Sequence, residues 1–339
     1  METEKKATTK KDGNKKRVFI IVAVLALLIL CVTVAVTYYE VGPELRCNLP
    51  SDGSASEGWS AQRIKTDGSQ RCYFIYYPPN LDRDQPVPVV FSFHGFLSNP
   101  NSQALITAWH KLADEEGFIV VYPQGTHFPQ RWDSGATWGA SDVDDVQFFK
   151  DMLEDVSNKV SIDPARVYVN GFSNGGGMTV RLGCDVADRI AAIGSVAGAV
   201  VDTDNCNPSR PVPAIAFHGT GDPVVNYDGF GMQFPILRTG ARMTNAPIYF
   251  LGAEDWTARW AEWNNCNPSP KTIPSSSDVS GIHYTECDKG ADVILYTIDE
   301  GGHTWPGGWP IPFVGKTSKH IDATREIWEF YQNYRLDTP

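Results

Sequence analysis

The sequence contains no C-x-x-C pair and no H-E-x-x-H pair, so the common zinc sites are excluded, and nothing in it implies a metal or a cofactor. It has no internal repeat and no long low-complexity tract. With 42% hydrophobic, 12% aromatic and only 20% charged residues among 339, it has a globular composition, which excludes a disordered, collagenous or coiled-coil chain. Positive charge is in short supply: 29 basic residues face 40 acidic ones, a net charge of −11. Seven of the basic residues and three of the acidic ones lie in the first seventeen, so residues 18–339 hold 22 basic against 37 acidic residues. A body this acidic repels phosphate backbones, which excludes nucleic acid as a partner.

Charge is absent altogether from Val18 to Thr37, a run dominated by Val, Ile, Leu and Ala. Twenty helical residues at about 1.5 Å each span roughly 30 Å, the hydrocarbon thickness of a bilayer. The basic tail before the run and Tyr38 and Tyr39 after it fit the positive-inside rule and an interfacial aromatic pair. The expected organisation is a cytoplasmic tail at 1–17, a transmembrane anchor at 18–39, a polar Ser- and Gly-rich stalk at 40–70 and an extracytoplasmic domain at 71–339. A cleaved secretory signal is the alternative, and it exports the same body. Cys31 reads as an apolar filler of the anchor.

Six cysteines remain, an even count that fits disulfides in an exported chain. Six cysteines allow fifteen pairings. Loop closure favours neighbours, so the expected pairs are Cys47 with Cys72, Cys184 with Cys206, and Cys266 with Cys287.

From Arg71 onward, short apolar runs alternate with helical stretches. Strands are expected at Arg71–Tyr77, Val87–Phe93, Phe118–Tyr122, Arg166–Asn170, Ala191–Val196, Ala214–Phe217 and Val293–Ile298. Helices are expected at Gln103–Glu116, Asp145–Lys159, Gly176–Ala187, Asp255–Asn264 and His320–Tyr334, with Trp256, Trp260 and Trp263 packing into the core. This alternation implies an α/β fold with a mostly parallel central sheet covered by helices on both faces. In such sheets ligands sit at the carboxyl ends of the strands.

The most informative stretch is Gly171-Phe172-Ser173-Asn174-Gly175, a G-x-S-x-G with a β-branched strand before it and a helical segment after it. A serine on so sharp a turn has strained dihedrals, and side chains two positions to either side would strike backbone. Ser173 is the expected nucleophile, and the N–H of Asn174 an oxyanion donor. Serine needs a base and a group that orients it, and in this chain order the acid comes first and the histidine last. The strand Ala214–Phe217 leads to Asp222 in His218-Gly-Thr-Gly-Asp-Pro-Val-Val, and the last strand to His303 in Gly301-Gly-His-Thr-Trp-Pro-Gly. Asp228, Asp292 and Asp299 are less well placed as the acid. His110, His127, His283 and His320 lie in helical or polar contexts, and His218 reads as a support for the Asp222 loop. A second oxyanion donor is expected in the loop after Phe93, His94-Gly95-Phe96, where Gly95 admits close approach and Phe96 supplies the N–H.

Together these four segments resemble the polyhydroxybutyrate depolymerase and feruloyl esterase group of α/β-hydrolases, over roughly residues 70–335. The resemblance implies an α/β-hydrolase fold, a Ser173, Asp222 and His303 triad, and hydrolysis of carboxylic esters, among them hydroxyalkanoate polyesters and hydroxycinnamoyl or acetyl esters on plant polysaccharides. The anchor, and the lack of an appended polymer-binding module, favour a diffusible ester or oligomer over a solid granule. A peptidase or acyltransferase on the same fold, and a non-catalytic binding protein, are the competing classes. Trp132 and Trp138, on the segment Gly125–Ser141, and Trp305 are candidates for stacking on substrate. For Trp132 and Trp138, plugging the core beneath their loop is the equal alternative. Tyr227–Pro247 is long enough for a lid or a substrate wall.

Overall fold

The computed structural model describes residues 58–82, 85–127, 129–135, 143–201, 206–232 and 248–337, all in the unit Cys47–Pro339. The expected tail and anchor, Cys31, Cys47, the first part of the stalk, Trp138 and residues 233–247 lie outside the described residues. Among the described residues no helix is long and apolar enough to cross a membrane.

Twelve strands are described. They are β1 (Trp59–Thr66), β2 (Ser69–Tyr76), β3 (Val87–Phe93), β4 (Ile119–Pro123), β5 (Ile162–Phe172), β6 (Ala192–Val196), β7 (Ala214–Gly219), β8 (Gly229–Met232), β9 (Ile248–Leu251), β10 (Lys271–Ser276), β11 (Val279–Tyr284) and β12 (Val293–Ile298). Ten form one sheet in the order β1-β2-β4-β3-β5-β6-β7-β12-β11-β10, and β8 pairs with β9 in a small hairpin. The six central strands, β4 through β12, run parallel. Antiparallel β1 and β2 close one edge, and antiparallel β11 and β10 the other. The fold is thus α/β with a mixed, mostly parallel sheet.

The central strands are rich in apolar and β-branched residues, and every residue of β3 and β4 is buried. Alternate residues divide into two cores. Val89, Phe91, Val121, Val169 and Leu295 pack with helices α3 (Asp145–Ser157), α4 (Asn174–Asp185) and α5 (Ala253–Trp263). Val90, Val120, Tyr168 and Phe217 pack on the other face with α2 (Trp109–Glu116) and α6 (Ala323–Tyr331). Each fully buried large apolar side chain contributes roughly 1.5–3 kcal/mol. Trp256 and Trp260 are buried and Trp263 packs against the first core, as their spacing implies.

Three expectations need correction. The stalk does not extend to residue 70, because Trp59–Thr66 pairs residue by residue with β2. The helix expected at Gln103–Glu116 is two, α1 (Pro100–Thr107) and α2, divided at Ala108, whose φ of 52° is left-handed. The bend carries Trp109 beneath the sheet, where its indole N–H donates to Asn170 Oδ1 at 3.0 Å. Strands β8 to β11 were not expected; β10, for one, is polar and exposed at nearly every position.

Disulfides join Cys184 to Cys206 and Cys266 to Cys287, the pairings that loop closure favours. Cys72 is disulfide-bonded as well.

Candidate active site

Strand β5 ends at Phe172 and α4 begins at Asn174, leaving Ser173 as the single residue of the turn. Its φ of 56° and ψ of −119° are strained for a side-chain-bearing residue, a conformation that costs on the order of 1–3 kcal/mol. The surroundings hold it there. Ser173 N–H donates to the Val196 carbonyl at 2.9 Å, and the Ser173 carbonyl accepts from Gly177 and Ala199, each at 3.0 Å. The flanking glycines mark where backbones meet. A Cβ on Gly171 would lie 2.2 Å from the Gly175 carbonyl oxygen, and one on Gly175 would lie 2.2 Å from that of Phe93.

Asp222 lies in the turn after β7, its carboxylate wholly buried. Oδ1 accepts from the amides of Val224 and Val225, both at 2.8 Å, and Oδ2 accepts from His303 Nδ1 at 2.7 Å. His303 follows β12, its backbone N–H donating to the Val314 carbonyl at 2.7 Å. Its ring centroid is 4.8 Å from that of Phe172. With Nδ1 turned to Asp222, Nε2 occupies the opposite edge of the ring. His218 supports this loop as expected: Nε2–H donates to the Val225 carbonyl at 2.9 Å, and burial holds the ring's pKa below its ordinary value.

The loop after β3 lies over the elbow, since a Cβ on Gly95 would sit 3.3 Å from Ser173 Cβ. His94 sets its geometry. The Gly125 amide can only donate, so His94 Nε2 is its acceptor at 2.9 Å, and the ring proton is on Nδ1, which donates to the Gly95 carbonyl at 2.8 Å. Carbonyl and N–H of one planar trans peptide point in opposite directions, so the Phe96 N–H faces away from His94. The Leu97 N–H donates to the Gln130 carbonyl at 2.9 Å. Burial pushes the His94 ring down to about 4, so it is neutral at ordinary pH, as its acceptor role requires.

Asn174, the first helical residue, has no intrahelical acceptor for its backbone N–H, and the α4 dipole points positive at this end. Its side chain braces the neighbouring loop: Oδ1 accepts from Trp132 N–H at 2.7 Å, and Nδ2 donates to the Trp132 carbonyl and Ser134 Oγ, both at 3.2 Å. Asp145 continues the brace. It accepts from Asp133 N–H and from Arg71 Nη2, each at 2.7 Å.

Ser173, Asp222, His303, Gly95, Phe96 and Asn174 therefore converge at the carboxyl ends of β3, β5, β7 and β12. Of the candidate tryptophans, the two among the described residues lie beside these groups but beneath the surface. Trp132 and Trp305 are fully buried and donate their indole N–H groups to the His94 carbonyl and Thr324 Oγ1. Neither ring is open to a ligand. Sequence reasoning missed His94 as a support, although its place just before Gly95 was the available signal. It also missed the side-chain role of Asn174, which no local pattern marks. The arrangement pairs a strained serine with a buried carboxylate–imidazole couple and amide donors, the parts needed for acyl transfer.

Residues 71–229 match the Esterase PHB depolymerase family. Feruloyl esterase B of Piromyces equi is 33% identical over 69% of this chain and 42% of its own length. The bifunctional acetylxylan esterase/xylanase XynS20E of Neocallimastix patriciarum is 28% identical over 81% of this chain and 35% of its own length. The chain thus spans less than half of either. Feruloyl esterase D of Neurospora crassa is 26% identical over 86% of this chain and 93% of its own length. Among solved structures, acetyl xylan esterase from Aspergillus awamori superposes with a TM-score of 0.55 at 16% identity, covering 80% of this chain and 99% of that one, a likeness of fold. Over the residues matched, the chain belongs to the Esterase PHB depolymerase family.

Proposed function

We propose that the protein is an extracytoplasmic serine esterase that hydrolyses feruloyl or acetyl esters carried on polysaccharides, held at a membrane by residues 18–39. The observation that carries the chemistry is the 2.7 Å bond from His303 Nδ1 to the buried Asp222 carboxylate, with the imidazole packed against the residue before a strained serine. The names of the curated relatives support the acyl and polysaccharide classes.

Ser173 Oγ attacks the ester carbonyl carbon while its proton passes to His303 Nε2. Asp222 keeps the neutral ring protonated on Nδ1, which leaves Nε2 as the acceptor, and stabilises the imidazolium once formed. The carbonyl oxygen, now an oxyanion, accepts from the N–H groups of Asn174 and Phe96 and lies at the positive end of α4. Loss of one such donor costs about 3–4 kcal/mol of transition-state stabilisation. Collapse breaks the bond to the leaving oxygen, which takes the proton from His303, and leaves Ser173 acylated. Water, deprotonated by His303, then attacks the acyl carbon; collapse breaks the bond to Ser173 Oγ, which takes the proton back from His303, and the acid is freed.

Turnover of p-nitrophenyl acetate, methyl ferulate, a hydroxybutyrate dimer and a dipeptide amide by the wild type and by Ser173→Ala tests this reading. Ester cleavage that falls at least a thousandfold in the variant is expected. Amide cleavage without ester turnover would contradict it.

A further inference from the structure

The loop that leaves His303 carries two large aromatic side chains that folding leaves in solvent. Phe313 is fully exposed and Trp309 is 62% exposed. Phe313 also has a φ of 67°, the left-handed region that a bulky residue rarely enters. Nothing in the core accounts for either, and strain of this kind collects at ligand clamps.

The loop is nonetheless firmly held. Pro306, Pro310 and Pro312 restrict its backbone. The Trp309 N–H donates to the Ile106 carbonyl at 3.3 Å, and Lys319 Nζ to the Gly308 carbonyl at 2.5 Å. The returning segment runs beside the histidine: Gly302 N–H donates to the Lys316 carbonyl at 2.8 Å, and His303 N–H to the Val314 carbonyl at 2.7 Å. Phe313 is therefore the neighbour of the residue that bonds the His303 backbone.

That position has a chemical meaning, which rests on the esterase reading above. His303 returns its proton to the leaving oxygen, so the alcohol half of the ester lies on the His303 side of the cleft. We infer that Phe313 and Trp309 form a leaving-group subsite that stacks on sugar rings of the polysaccharide. A pyranose or furanose offers an apolar C–H face to an aromatic ring while its hydroxyls stay in water. Separate exposed rings on a braced loop suit such a ligand, whereas an acyl chain needs an enclosing apolar pocket. Pre-set rings also bind at a small ordering cost.

The test keeps the acyl group constant and varies the alcohol. The acyl group is ferulate or acetate, whichever the wild type turns over. It is presented once as a simple methyl or aryl ester and once on an arabinoxylan oligosaccharide, to the wild type, Trp309→Ala, Phe313→Ala and Phe313→Tyr. Each alanine variant is expected to raise KM for the saccharide ester about 3- to 10-fold, the scale of one aromatic contact. The kcat values and the simple ester stay within twofold, and Phe313→Tyr keeps the wild-type KM. Equal losses on both esters, or an unchanged KM for the saccharide ester, would overturn the subsite while leaving the esterase standing. Losses confined to a hydroxybutyrate oligomer would reassign the rings to an apolar substrate and overturn it too. A wild type inactive on every ester would remove the esterase reading and this inference with it.

Discussion

Both oxygens of the Asp222 carboxylate are occupied by the protein, Oδ1 by two backbone amides and Oδ2 by His303. Asparagine would keep the shape but offer an NH2 group where an acceptor is needed, turning the imidazole to the wrong tautomer. Asp222→Asn should lower kcat on the order of 10⁴-fold with the fold intact, measured by steady-state kinetics beside circular dichroism; a loss under tenfold would count against the assignment. His94 has a different signature, in stability. Burial lowers its folded pKa to about 4, against about 6.5 in the unfolded chain. Between these values the unfolded state binds more protons, so stability rises with pH and is lost as pH falls from 6.5 toward 4. The charges facing the ring, Asp145 and Arg71, act in opposite directions and are secondary to burial. The whole shift corresponds to roughly 3 kcal/mol. Urea midpoints should therefore fall more steeply between pH 7 and 4.5 for the wild type than for His94→Gln, and parallel slopes would refute the effect. The placement of Ser173, Asp222 and His303 at one end of the sheet was legible because each follows a strongly apolar strand. The place of His94 before Gly95 was a local signal of support, but its tautomer was not legible, because that is set by a partner 31 residues away, the Gly125 amide.

At the scale of elements, the N-terminus of α3 is tied to β2 by the buried Arg71–Asp145 pair, which also carries the Asp133 amide. Removing one partner strands the other charge in the interior. Asp145→Ala should cost about 3–5 kcal/mol in denaturant unfolding. It should also loosen the Trp132 loop that Asn174 grips, lowering activity without any change to the candidate triad. A cost under 1 kcal/mol would mean that the pair is solvated. The β5–α4 turn is less forgiving still, with Gly175 in backbone contact with Phe93 and His94. The buried parallel strands could be read directly, and β3 and β12 coincide with their sequence-based bounds. Strands β1 and β8 to β11 could not. An edge strand owes its place to ladder hydrogen bonds with a neighbour, and a residue pattern such as Lys271–Ser276 carries no trace of that partner. Ala108 was missed for the same reason, since a left-handed alanine inside a helical pattern is imposed by tertiary contacts.

Across the whole molecule, two cross-links staple the half of the structure that carries α4 and α5. The Cys266–Cys287 link spans 21 residues, a loop whose closure is worth about 3 kcal/mol by chain entropy. Replacing both cysteines with alanine should lower unfolding stability by about that amount and leave kcat unchanged, because the link lies away from the site loops. The acidity of residues 18–339 and the grouping of every site residue at one sheet edge were both legible from sequence. The convergence itself was not, because chain order gives loops and only the folded sheet gives distances. The most direct test of Ser173 as the nucleophile is fluorophosphonate labelling of the protein followed by intact and peptide mass analysis. One adduct per chain is expected, on Ser173, lost in Ser173→Ala and slowed in His303→Ala. No adduct under conditions that label a control serine esterase, or an adduct on another serine, would contradict it.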